Sequence, residues 1–442
     1  MRATDEQVSI ANSGYRPTVA ATGNAGILDT SSVGTDGSRR PTIESHPRGY
    51  GLTATQTLFK GGQVVNTVRA AEAQVRAARE TLRGVEQQVL LDSATSYLDV
   101  IRDQAIVKLR QNNVRILTED RKQTRERFNV GEVTRTDVAQ SEATLAAAVS
   151  ALDLAKSNLE TSRASYERNI GNAPSSLIEP RPVDSLLPRT LNDAISNSAR
   201  ENPNVVAALY SEQQQRHTID QIYGQLLPSA QLQASYNRAY EPSGASTTAQ
   251  ADTKSLVASV TVPLYTGGLV DAQVRQAKQV HISRIQQIEQ ARTETKQTVV
   301  AAWSQLIAAR AQLVSDNTQV SSAQIALTGV REEERVGQRT LLDVLNAEQT
   351  LLNAQVSVVT DKHNIGVAAY AVLSSAGRLN ISELGGVETI YDAEQHYHEV
   401  RRQWWGVSIT RADGRVETHD FWETHGRKTY DEDEAKRWKP VK

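Results

Sequence analysis

The chain has 442 residues, no cysteine, and 49 Lys and Arg against 51 Asp and Glu, a formal net charge of −2. That balance argues against a general nucleic-acid binder, and the missing cysteine excludes a disulfide framework and thiolate metal sites. No run approaches about 18 apolar residues, so no transmembrane helix is predicted, while a β-barrel, with its weak alternating signal, stays open.

The opening "MRATDEQVSIANSG" lacks the apolar core of a signal peptide and reads as the end of a helix. Two alternating segments follow, "RPTVAATGNAGI" (16–27) and "GYGLTATQTLF" (49–59), flanking a polar loop at 28–48. Period-2 alternation over about ten residues predicts strands, and that length crosses a bilayer at a tilt. One face of each is small and polar, the other modestly apolar. Gly61 and Gly62 then supply the backbone freedom for a strand-to-helix change. A proline-free helix is predicted over 63–127, roughly 65 residues and about 97 Å. It ends at "FNVGEV", where Gly131 fits a left-handed C-cap. A return helix is predicted over 134–171.

Residues 172–201, with Pro174, Pro180, Pro182 and Pro188, read as a linker. The same order of elements then repeats. A helix over 203–226 leads to strands over 228–237 and 254–265, joined by a polar loop. Gly267 and Gly268 precede a long helix over 269–334, Gly337 caps it, and a return helix covers 340–377. The tail, 381–442, holds four of the five tryptophans, with a hairpin signal at Asp413–Gly414.

The repeat holds one register. Gly131 aligns with Gly337 and Leu145 with Leu351, each at an offset of 206 (337 − 131; 351 − 145), and nine of nineteen positions from 130 to 148 are identical. "TLFKGGQVVNTVRAAEAQV" (57–75) matches "PLYTGGLVDAQVRQAKQV" (263–280) at the same offset, so the joining helices have equal length. The predicted organisation is a first repeat at 1–171, a linker at 172–201, a second repeat at 202–380 and a C-terminal extension at 381–442. Aligning Pro17 with Pro228 (228 − 17 = 211) places the counterpart of "ENPNVVAAL" before residue 1. The sequence therefore predicts that this chain begins inside its first helix, with the helix start and a signal peptide missing.

The return helices carry a heptad seam. Val138, Leu145, Leu152 and Leu159 alternate with Ser141, Ala148 and Ala155; Val344, Leu351, Val358 and Ile365 alternate with Ala347 and Ala354. One large line and one small line suit close antiparallel packing. Carboxylates along the helices read as solvated faces. Asp137 and Asp343 begin the return helices, where the helix dipole favours acids. Arg339 stands where the first copy has Val133, so Arg339 and Asp137 would pair if the tips are neighbours. No phosphate loop, dinucleotide fingerprint or zinc-protease motif occurs, and no enzyme, cofactor or metal site is predicted.

Three stretches carry a resemblance: "FNVG" with "TDV" (128–138), "VPLYTGGLV" (262–270) and "VGQRTLLDVLNAEQTL" (336–351). Over about 1–380 the chain resembles the TolC family of outer-membrane efflux and secretion ducts. The resemblance implies a mainly α protein with membrane β-structure. A homotrimer would give four strands per protomer to one twelve-stranded barrel, continued into the periplasm by an α-helical barrel. It implies a passive exit duct that docks a periplasmic adaptor and an inner-membrane pump of ABC, RND or MFS type. The expected gate comprises Thr136, Asp137, Glu334, Arg339, Asp343 and Asn346. Asp343 and Arg339 match family gate positions, Thr136 and Asp137 match the partners of that arginine, Asn346 replaces a second acid and Glu334 a tyrosine. The turns Val130–Gly131 and Val336–Gly337 would meet the adaptor. Tyr15, Phe59 and Tyr265 fit either an interfacial girdle against outer-membrane lipid or strand-end packing on the helices. The alternative is a soluble periplasmic coiled-coil adaptor or scaffold, which needs no lipid-facing strands.

Overall fold

The computed structural model describes residues 1–39, 41–180, 183–241, 249–385, 391–404, 406–407, 409–410 and 416–417. α1 (Arg2–Asn12) leads into β1 (Thr18–Ala25). The loop predicted at 28–48 contains a small ribbon, β2 (Leu28–Thr30) paired with β3 (Ile43–Ser45). β4 (Arg48–Lys60) follows, then α2 (Gln63–Asn129) and α3 (Arg135–Ile170). The predicted linker is coil only in its first part, because α4 (Leu191–Glu201) occupies its end. Thr190 caps that helix and Asp193 returns a bond to the Thr190 amide, a capping box. α5 (Pro203–Tyr223) starts on an Asn202 cap with proline at its first position, where no amide is needed. β5 (Ser229–Tyr240) and β6 (Gln250–Thr261) come next. β6 lies four residues earlier than the predicted 254–265, ending before Pro263, which has no amide to donate to a ladder. α6 (Leu269–Arg335) and α7 (Leu341–Ser375) form the second hairpin. α8 (Ile381–Leu384), α9 (Gln395–Val400), β7 (Ile409–Thr410) and β8 (Val416–Glu417) are the last elements among the described residues. β7 and β8 pair antiparallel, while Asp413–Gly414 lies outside the described residues.

The main sheet has the order β1-β4-β5-β6, antiparallel throughout. Directly paired residues share a face. One face carries Val19, Ala21, Leu52, Ala54, Ala234, Leu232, Leu256, Ala258 and Val260. The other carries Thr22, Thr53, Thr55, Gln233, Ser235, Ser255 and Ser259, with the Ser235 and Ser255 hydroxyls 2.7 Å apart. Leu256, Val260 and Val19 are exposed, so the apolar face has no protein packed on it. A register shift between Thr57 and Phe59 skips Leu58 and puts Phe59 opposite Ala230, on the apolar face. The outer strands β1 and β6 each leave one edge unpaired among the described residues.

Gly61, Gly62, Gly267 and Gly268 all have positive φ, and Gly62 and Gly268 are the N-caps of α2 and α6. Gly61 is also tight: a Cβ there would sit 2.1 Å from the Gly224 carbonyl oxygen.

The two hairpins pack unequally. α3 packs on α2, while α7 packs on both α6 and α2. In α3 the buried residues include Ser141, Ala148, Leu152, Ala155 and Leu159, the predicted seam. In α7 the predicted seam is kept only in part: Val344 and Ala354 are buried, Leu352 is buried while Leu351 is only half-buried, and Leu345, Glu348 and Asp361 join the interior. Contact with two helices widens the buried face beyond a two-helix seam. Carboxylates predicted to be solvated therefore include buried ones, Glu348 and Asp361 among them.

The start of the tail is tied down. His396 Nδ1 lies 3.1 Å from Oδ2 of the fully buried Asp5 in α1. Arg79 and Arg401 both stack on the Tyr397 ring and bond Glu394 and Glu72.

Candidate gate at the hairpin tips

Both tips are built alike. α2 and α6 stop at Val130 and Val336, and Gly131 and Gly337 follow with φ of 83° and 80°. Thr134 then caps α3, and Thr340 caps α7. At the first tip the Thr134 amide and hydroxyl donate to Asp137 Oδ2 at 2.8 and 2.7 Å, and the Asp137 amide donates back to Thr134 Oγ1 at 3.3 Å. At the second, Thr340 and Asp343 repeat this at 3.0, 2.8 and 3.3 Å. Backbone and hydroxyl donation from Thr340, with Arg339 adding its charge, holds the Asp343 carboxyl below the usual carboxylate range. The two aspartates are thus the third helical residues of capping boxes, each accepting from the amide of the threonine that caps its helix.

The expected Asp137–Arg339 pair is not formed within the protomer. Arg339 Nε donates to Glu333 Oε2 at 2.8 Å, inside its own tip. Glu334, which stands at the family's tyrosine position, accepts from Arg127 Nη1 at 2.8 Å. Arg127 ends the first long helix and Glu334 the second, so this ion pair joins the two hairpins. Hydrogen bonding to Glu334 raises the Arg127 pKa above its ordinary value, and Arg127 Nε also donates to Glu132 at 3.2 Å. Thr136 and Asn346 are exposed beside the caps.

Sequence reading missed Arg127 and Glu333, although a signal was present. The two occupy equivalent repeat positions (333 − 127 = 206) with opposite charges. The outermost turn residues, Val130 and Val336, are 73% and 69% exposed. Tyr15, Phe59 and Tyr265 lie exposed where strands meet helices, and the Tyr15 carbonyl accepts from Gln56 Nε2. Among the described residues no group of three or more His, Asp or Glu side chains is placed to hold a metal ion. No helix among them is long and apolar enough to cross a membrane.

The sequence pattern of outer membrane efflux proteins matches residues 1–172 and 194–378. The outer membrane efflux protein BepC of Brucella suis is 36% identical over 416 residues, covering 94% of this chain and 88% of that one. The outer membrane protein TolC of Escherichia coli is 27% identical over 359 residues, covering 77% and 72%. Among solved structures, the Campylobacter jejuni CmeC outer membrane channel superposes with a TM-score of 0.74 at 17% identity, covering 90% of this chain and 84% of that one.

Proposed function

The chain belongs to the outer membrane efflux protein family, and on that premise we propose that three copies close one barrel into a duct gated at the hairpin tips. It is an outer-membrane channel with a helical part on the periplasmic side. The observation that carries the trimeric reading is the sheet. Its apolar and polar faces alternate as lipid-facing and lumen-facing residues do, and its two open edges need partners. A second copy sets its β1 beside β6 of this one, and the third sets its β6 beside this β1. Four strands per protomer then make a twelve-stranded barrel. A soluble adaptor or scaffold would leave this apolar face and both edges in water, so it is the weaker reading.

The duct has no catalysis of its own in this reading. A periplasmic adaptor meets the exposed Val130 and Val336 turns, and an inner-membrane transporter of ABC, RND or MFS type feeds it. Outer-membrane lipid meets the apolar sheet face, with Tyr15, Phe59 and Tyr265 at the rim. In this reading the Arg127–Glu334 pair and the capped Thr136–Asp137 and Arg339–Asp343 starts hold the tips together, and Gly61, Gly62, Gly267 and Gly268 pivot strands against helices.

Fractionating cells that express the protein with a functional export signal tests this. The protein should be in the outer membrane, leave it only with detergent, and cross-link to a trimer. Recovery as a soluble periplasmic monomer would defeat the reading. Arg127→Ala should raise single-channel conductance, because it frees Glu334 and unties the hairpins. An unchanged conductance in both Arg127→Ala and Glu334→Ala would remove the pair from the gate.

A further inference from the structure

Just above the tips the second hairpin carries an ion pair of its own. Arg331 of α6 binds Glu348 of α7, and Glu348 is only 6% exposed. The repeat contains the same pair once more, because Arg125 and Glu142 occupy the equivalent positions (331 − 125 = 206; 348 − 142 = 206). There the partners are 3.6 Å apart and both exposed. The buried copy differs in having a third member, Asp120 of α2, which faces Glu348. The position equivalent to Asp120 is Ala326 (326 − 120 = 206), so the repeat itself supplies a version without the carboxyl.

We infer that Asp120 and Glu348 share a proton across the two hairpins and that its loss as pH rises loosens the tips. This rests on the reading that the tips gate a duct. Two carboxyls meet one arginine, so one negative charge stays uncompensated if both ionise. Asp120 Oδ2 and Glu348 Oε2 are buried and have no hydrogen-bond partner among the described residues. Ionised carboxylates offer no donor, and a shared proton provides one. The other groups around the site do not remove the conflict. Glu119 on α2 adds negative charge, and Arg331 on α6 is committed to Glu348. α3 presents Leu145 and Ala148, and its Glu142 is engaged by Arg125. Leu117 of α2, Ala148 of α3 and Leu345 of α7 form the apolar cluster nearby, tying α7 to the first hairpin. Asp120 stands nine residues before Asn129, the last residue of α2, about 14 Å along the helix from the tip.

Burial, then the Glu348 charge, push the Asp120 carboxyl up to about 6, with Arg331 opposing. A carboxyl raised in the joined state stabilises that state fully below the ordinary aspartate range, and the contribution is lost as pH rises through about 6. With separated hairpins returning Asp120 to about 3.9, the open-to-closed ratio per protomer rises about tenfold between about pH 5 and about pH 7.5.

The test records open probability of the purified full-length protein in planar bilayers at both pH values, with Mg²⁺ and with chelator. Wild type should open more at the higher pH, and Glu142→Gln should keep that response. Asp120→Asn and Asp120→Ala, each checked by helical melting, should lose it. A conducting wild type whose pH response survives in both Asp120 variants overturns the shared proton alone. Closure that follows Mg²⁺ at fixed pH and vanishes in Asp120→Asn overturns it in favour of a bridging cation. No conductance from any form overturns the duct reading and the proton clasp with it.

Discussion

Leu256→Arg is expected to keep the protein out of the outer membrane, while Ser255→Arg is expected to leave it there. The two positions are adjacent in the middle of β6, pointing to opposite faces. Leu256 pairs with Ala234 on the apolar face, and Ser255 with Ser235 on the polar face. An arginine facing lipid near the bilayer midplane costs about 2–4 kcal/mol, and a trimer would carry three. A single such cost is roughly a tenfold loss or more of inserted protein. An arginine in the lumen meets water and alters ion selectivity instead. Quantifying each variant in the outer-membrane fraction decides the matter. Equal levels of the two would mean that the apolar face does not meet lipid.

Gly61→Ala is expected to be the most damaging single-methyl change in the strand-to-helix hinges. Its φ of 56° is costly for any residue with a Cβ, about 1–2 kcal/mol. The new methyl would also stand 2.1 Å from the Gly224 carbonyl oxygen and 2.9 Å from Leu227 Cβ. Overpacking of that kind adds about 1–3 kcal/mol, because β4 and the end of α5 must separate. Gly62→Ala is the control. Its φ is 75°, and a Cβ there would find only Asn66 Nδ2, at 3.9 Å. Thermal unfolding followed by helical circular dichroism in detergent should show Gly61→Ala melting well below Gly62→Ala. Equal melting points would mean that the close approach carries no cost.

Much of the fold was legible because it is written twice. The 206-residue offset aligned both tips and the second strand-to-helix hinge of each half, and proline-free runs marked α2 and α6. Thr134 and Thr340, three residues before Asp137 and Asp343, are readable capping boxes. The same signal at Thr190 and Asp193 follows a proline-rich stretch that masks it, so α4 falls inside the predicted linker. The Leu58 bulge had no sequence mark, since alternation survives on either side of an extra residue.

The asymmetry between copies was not legible from periodicity. Heptads describe a helix against one partner, and α7 packs on α2 as well as on α6. That second contact is why Glu348 is buried while its counterpart Glu142 is exposed, and why Leu352 rather than Leu351 faces inward. The gate was half legible for the same reason. Caps are local and follow from spacing, whereas Arg127–Glu334 spans two hairpins.

Three copies closed into one duct and held shut at the tips should conduct ions, but only weakly. Single-channel recording of the detergent-purified trimer in planar bilayers tests it most directly. The account predicts small, discrete conductance steps for wild type and larger ones for Arg127→Ala. A membrane-inserted trimer that never conducts, in either form, would contradict it.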